Sequence, residues 1–214
     1  MYADPYEAYK YEDARKVLRF HGTVYLFRAS SGWNPRSTMC MKSKLVEDAD
    51  NMVHRTIEYY GIPTDQPQMP YSYMYIVVKL WMKAVRPKKV QPYIYAAEDK
   101  EKVEKEIAVE PVEKPPPTVP PTLVPRALGT YESKAIQDHF KEYVLYSDDK
   151  CLLTGEYNHT GRVGCTLWVT ESAVNNPLSH CNFLITALCG NPAYNAYKYE
   201  KRICKDYDKY IRKI

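Results

Sequence analysis

Six cysteines and five histidines are the residues of this sequence best equipped for chemistry, and their spacing limits what that chemistry is. The cysteines are Cys40, Cys151, Cys165, Cys181, Cys189 and Cys204. None forms a CxxC pair, and no two histidines stand four or five residues apart, so the close-spaced ligands of a zinc site are missing. A GxSxG elbow, a phosphate-cradling glycine loop and an HExxH helix are missing too. An even number of cysteines without metal spacing reads as disulfides, and disulfides persist in oxidising compartments. A secreted, extracellular protein is expected. Paired cysteines are lost as nucleophiles, so the expectation is a binding protein and not an enzyme, with no cofactor and no metal. Asn158-His159-Thr160 is a glycosylation sequon, in keeping with secretion. Met1 to Pro5 carries no apolar h-region, as expected of a mature form with an added start.

Elements must position these residues, and strand patterns dominate. Thr23 to Phe27 is β-branched and aromatic, and Thr38 to Leu45, Met52 to Tyr60, Tyr71 to Val85 and Val90 to Ala96 follow as strand candidates. After the insertion come Leu128 to Ser133, Phe140 to Tyr146, Cys151 to Tyr157 and Val163 to Thr170. Helical pattern is confined to the ends: Tyr6 to Phe20, and Pro177 to Gly190 with proline near its start and glycine at its end. Eight or nine strands with short breaks predict an antiparallel barrel or sandwich. A barrel of about eight strands can hold one small ligand. The 21 tyrosines suit its wall, with an apolar ring and a hydroxyl tip, or simply form half-buried strand faces.

Helix geometry narrows the cysteine pairing. Cys181 and Cys189 lie eight residues apart on the second helix, roughly 12 Å of rise, too far for one disulfide. Each must staple the helix to something else, and the two preceding strands carry Cys151 and Cys165. Of the possible pairings, Cys40–Cys204, Cys151–Cys181 and Cys165–Cys189 are favoured.

At 214 residues the chain is long enough for one domain over residues 1–214. It carries an insertion over residues 98–129. Glu98 to Lys114 holds seven acids against four bases, and seven of the 16 prolines fall between Pro111 and Pro125. Glu98 to Val109 reads as helical. The proline run, with Pro115, Pro116, Pro117, Pro120 and Pro121, reads as extended, polyproline-like and exposed. Lys198 to Ile214 holds seven bases against three acids, and residues 205–214 are expected to form a solvated basic tail. A net charge of +4 is too mild to argue for nucleic acid, and the longest uncharged apolar run, Tyr73 to Val78, is too short to span a bilayer. No nucleic-acid or membrane partner is expected.

The second half carries a more specific signal. Tyr146-Ser147-Asp148-Asp149-Lys150-Cys151, then Cys165-Thr166-Leu167-Trp168, then Pro177 to Cys181 and the final Cys204 resemble the tick salivary lipocalins, whose best-known members are histamine-binding proteins. Asp13 to Leu18, Val24 to Leu26 and Cys40 agree with the same family. The resemblance implies a mainly β fold: an eight-stranded antiparallel lipocalin-like barrel with a short N-terminal helix and a C-terminal helix on its wall. It also implies secretion in saliva and suppression of host defences. Members sequester histamine, serotonin or leukotrienes, and some bind complement proteins.

Two departures bear on the ligand. Amine binders carry Glu-Leu-Trp where this chain has Thr166-Leu167-Trp168, and an early acid before proline is replaced by Asn34-Pro35. A buried ammonium needs carboxylates, and Thr166 removes one. The expected function is therefore binding of a host defence protein, a complement component, through loops and the proline-rich insertion. The alternative is capture of a small host mediator in the barrel. Glu132, Asp148 and Asp149 are the candidate acids for an amine, with Trp168 and Tyr131 as cation–π walls and Tyr25 and Trp33 as further aromatic candidates. Asp148 and Asp149 can instead cap the turn before Cys151.

Overall fold

The computed structural model describes residues 9–30, 38–61, 74–88, 90–99, 107–108, 139–157, 163–190 and 194–211. A four-residue helix α1 (Arg15–Leu18) precedes strand β1 (Val24–Ala29). Strands β2 (Met39–Ser43), β3 (Leu45–Ala49), β4 (Met52–Gly61), β5 (Met74–Val85) and β6 (Tyr93–Glu98) follow. Then come β7 (Ile107–Ala108), β8 (His139–Ser147), β9 (Cys151–Tyr157) and β10 (Val163–Thr170). Helices α2 (Ser179–Cys189) and α3 (Ala196–Ile211) complete the chain.

The strands pair antiparallel in the order β4-β2-β1-β10-β9-β8-β6-β5, and β5 pairs back with β4. Eight strands thus close a lipocalin-like barrel. β3 continues β2 along the same edge of β4, and β7 pairs with the start of β5. Closure leaves the eight barrel strands without an open edge.

Each strand sends alternate side chains to opposite faces. On β9 and β10, Leu152 and Trp168 face inward with Val24, Val53, Leu80, Met82, Ile94 and Val144. Cys151, Leu153, Cys165, Leu167 and Val169 face outward into a second cluster with Cys181, Ile185 and Cys189 of α2. Burial on both faces explains why Cys151-Leu152-Leu153 reads as a continuous apolar run.

Helix α2 buries one side through Cys181, Ile185 and Cys189, at spacing i, i+4, i+8. Gly190 ends it at φ 79°, a left-handed value that favours glycine. Disulfides Cys151–Cys181 and Cys165–Cys189 bolt it to β9 and β10, with Cα separations of 6.5 and 6.0 Å. Cys40–Cys204 ties β2 to α3 at 5.5 Å. These are the pairings favoured by helix spacing.

Four expectations are corrected. The expected N-terminal helix Tyr6 to Phe20 is interrupted: Tyr9 and Lys10 are helical, residues 11–14 are not, and Arg15–Leu18 forms a separate turn; residues 1–8 lie outside the described residues. Leu45–Ala49 is a strand of its own beside β4. Ile107–Ala108, expected as helix, is extended because it pairs with Met74 and Tyr75. Most of the expected basic tail, residues 205–211, belongs to α3. Ala196, Glu200 and Tyr207 are buried and Ile203 is half-buried, at spacing i, i+4, i+11 and i+7. Tyr207 packs on Tyr60 with ring centroids 4.6 Å apart. That amphipathic pattern was masked by the charges between its members. The expected strand Leu128 to Ser133 lies outside the described residues.

Glu200 is the unusual member of that inner face. Its carboxylate is buried beside the Cys40–Cys204 bridge, accepting the Cys40 N–H at 2.6 Å and the Tyr194 hydroxyl at 3.1 Å. Burial pushes its pKa up to about 7, against an ordinary 4.5, and the two hydrogen bonds only partly oppose that. The folded state therefore keeps a proton that the unfolded chain releases earlier. This contribution is fully present below about pH 4.5 and is lost as pH rises through about 7. The loss is on the order of 3 kcal/mol for such a shift. Glu200→Gln should flatten that decline and be more stable than wild type at pH 8. Thermal melts of both proteins at pH 5 and pH 8 check it; parallel profiles would refute it.

Candidate functional site

One end of the barrel is shut by the chain that precedes β1. Val17 and Leu18 of α1 are buried in the same inner cluster as Val24 and Met82. Ser147 donates its N–H to Tyr11 O, and Glu12 bridges to Ser147, so the β8–β9 turn lies at this closed end. Arg55 is fully buried there, at an inward position beside Leu45. Its Nη1 donates to Leu18 O at 2.8 Å and Phe20 O at 2.9 Å; Nε donates to Ser43 Oγ at 2.9 Å and Nη2 to Ser43 O at 3.1 Å. Burial lowers its pKa to about 10, so it remains a cation at neutral pH. Carbonyl oxygens, not a carboxylate, hold this charge.

The opposite half holds the polar inward positions. Register places Phe140 opposite Ala96 and Glu142 opposite Ile94, both partners belonging to the inner cluster. Glu98 pairs with inward Leu80, and Tyr59 continues the inward row of Val53 and Ile57. The Tyr59 hydroxyl is raised above its ordinary pKa by burial and by the Glu98 charge, which places the two within electrostatic reach. On the facing wall the Trp168 Nε1–H donates to Thr166 Oγ1 at 2.9 Å, and the Thr166 and Thr154 hydroxyls lie 2.8 Å apart. The inner wall thus combines two carboxylates, a phenol, a short hydroxyl chain and an indole. Lys42, Lys79, Lys83 and Lys141 occupy outward register positions on the same strands.

The sequence candidates divide. Trp168 does face the barrel. Tyr25 does not: it stands on the outer wall, edge-on to Tyr197 of α3 with centroids 5.6 Å apart, because its register partner is outward Val169. Asp148 and Asp149 sit in the β8–β9 turn at the closed end, so neither lines the opposite half. Asp148 accepts the N–H groups of Lys150 at 2.7 Å and Cys151 at 2.8 Å, the Tyr146 hydroxyl at 3.1 Å and His180 Nε2 at 2.8 Å. Burial opposes its charge, but the His180 and backbone bonds outweigh that and hold its carboxyl below the usual range. Asp149 is exposed beside it. Turn capping accounts for Asp148. Trp33, Tyr131, Glu132, Pro115, Pro116, Pro117, Pro120, Pro121 and Asn158 lie outside the described residues.

Glu98, Glu142 and Tyr59 were missed. The period-two alternation of Phe140, Glu142 and Val144 was the available signal, but it does not say which face is inner. Asp148, Cys151, His180 and Cys181 also converge, their ligand atoms within 4.8 Å of one another. The Cys151–Cys181 bond uses both sulfurs, so this cluster is a turn staple and not a metal centre. Among the described residues no helix is long and apolar enough to cross a membrane.

Comparison with known proteins adds what the chain is similar to. Residues 127–206 match the family model of the tick histamine binding protein. No curated protein sequence matches. Among solved structures, the chain resembles Japanin from Rhipicephalus appendiculatus, determined bound to cholesterol, with a TM-score of 0.50 and 15% identity. The alignment covers 82% of this chain and 91% of that one. At this identity the likeness speaks for the barrel alone. The family match over its last strands and helices, with the closed eight-stranded barrel around them, supports a tick salivary lipocalin-like family for this chain.

Proposed function

We propose that this chain is a secreted binding protein that captures a small host mediator in the half of its barrel away from the closed end, a mediator with a positive charge beside an aromatic or apolar body. The observation that carries this reading is the inward register position of Glu142, opposite Ile94 of the barrel core. A cation leaving water for a low-dielectric interior needs a carboxylate. The family relatives with Glu-Leu-Trp supply it where this chain has Thr166; here β8 offers it instead. Trp168 and Tyr59 supply ring faces for the same cation. Suppression of host defences follows from removing such a mediator.

A second reading keeps the barrel as a scaffold for binding a host protein, a complement component, through the insertion. It is favoured by one observation: β7 pairs Ile107 with Tyr75 and Ala108 with Met74, which brings the insertion to the end of β5 farthest from α1. Rigid proline-rich segments make contact surfaces at low entropy cost.

Calorimetry with histamine, serotonin, a leukotriene and cholesterol separates these readings. An amine should bind, and Glu142→Gln should weaken it at least tenfold. Binding of cholesterol or the leukotriene, unchanged by Glu142→Gln, would replace the amine by an apolar ligand. Silence for all four, with one serum protein captured by the immobilised chain, would move the function to the insertion.

A further inference from the structure

Helix α3 has a second face that the barrel does not use. Lys198, Lys201, Arg202, Lys205 and Lys209 are all exposed. Their spacing is i, i+3, i+4, i+7, i+11, which keeps them on one side of a helix. They run for about 16 Å along it. The inner stripe of Ala196, Glu200, Ile203 and Tyr207 is diametrically opposite. The acids of the helix do not neutralise the outer stripe evenly. Glu200 is buried, and Asp208 is engaged by Lys42 at 3.1 Å and by the Tyr60 hydroxyl at 3.2 Å. Asp206 reaches only Lys209, at 3.5 Å. Among the described residues no carboxylate pairs with Lys198, Lys201, Arg202 or Lys205. Tyr199 flanks the stripe, 63% exposed, with its ring stacked on Tyr194. The disulfide to Cys40 and the buried Tyr207 hold the helix in place, so the charges are spaced before any ligand arrives.

We propose that this outer face of α3 binds a linear sulfated polysaccharide, whose repeating anions lie along the five bases while Tyr199 contacts a sugar ring. A straight, convex row of like charges matches a linear polyanion better than a compact anion, which would need a concave site. A membrane surface fits poorly, because an interfacial helix must bury its apolar face in lipid and here that face is already spent on the barrel. Nucleic acid is disfavoured by the disulfide-forming compartment. The site is separate from the barrel interior and stands whether or not a mediator binds there.

Titration of the full-length protein with a heparin oligosaccharide tests it. Wild type should bind, with affinity falling as salt rises because bound counterions are released. Arg202→Glu with Lys205→Glu should weaken binding at least tenfold and flatten the salt dependence. Lys198→Gln with Lys201→Gln, a milder change, should weaken it several-fold. Lys83→Glu with Lys88→Glu changes the net charge equally but lies off the helix, and should leave binding within twofold. Thermal melts confirm that each variant is folded. No binding by wild type, an equal loss in the Lys83/Lys88 variant, equal binding of unsulfated hyaluronan, or tighter binding of single-stranded DNA or anionic vesicles would each overturn the proposal.

Discussion

Replacing Arg55 with alanine should lower the unfolding free energy by about 3–5 kcal/mol, the range for breaking a buried charged network. The guanidinium makes four hydrogen bonds: to Leu18 O, Phe20 O, Ser43 Oγ and Ser43 O. Truncation orphans these acceptors at the closed end, each costing about 1–3 kcal/mol when buried without a partner. It also leaves a void beneath α1. Arg55→Met fills most of the void but restores no donor, so it should recover only part of the loss. The damage should also be local. The amides of residues 15–20 should exchange with solvent far faster in Arg55→Ala, because α1 is too short to hold itself. A loss under about 1 kcal/mol would show that water serves these carbonyls as well as the arginine does.

Removing the Cys40–Cys204 bridge should cost more than removing either of the others. The chain-entropy model gives about 5 kcal/mol for its separation of 164 residues and about 3.5 kcal/mol for the 24 residues between Cys165 and Cys189. The Cys151–Cys181 and Cys165–Cys189 bridges lie inside the larger loop and shorten it, so the difference should shrink without reversing. Cys40→Ser with Cys204→Ser also releases the anchor of α3, while Tyr207 on Tyr60 and Lys42 with Asp208 remain. Denaturant unfolding of this variant beside Cys151→Ser with Cys181→Ser and Cys165→Ser with Cys189→Ser gives the ranking. Equal losses would mean that native packing of α3, not chain entropy, sets the contribution of the bridge.

How legible the fold was depends on where apolar residues stand against polar ones. All eight barrel strands were readable within about three residues, because runs such as Val163 to Thr170 are rich in strand-forming residues and bounded by turn residues. Leu45–Ala49 was not, since its middle residues Val46, Glu47 and Asp48 are exposed and carry no alternation. The last helix was misread as a tail because its inner residues are two aliphatics, a tyrosine and a glutamate. A buried glutamate such as Glu200 leaves no hydrophobic signature. The site was less legible still. Tyr25, Asp148 and Trp168 look equally eligible in sequence, and only Trp168 faces the barrel.

The chain's own residues were enough to determine the class of fold, the disulfide frame and the family likeness. Strand patterns are local, a helix rises by a fixed amount per residue, and cysteines on a helix can reach only what packs beside it. The inside and the outside of the barrel were decided by tertiary structure alone. Apolar residues stand on both walls of β9 and β10, so alternation marks two faces without saying which one α2 covers. Closure of β5 onto β4 and the docking of α2 and α3 made that choice. It turned Glu142 inward, left Asp148 to cap a turn at the shut end, and exposed the five bases of α3 along the outer wall.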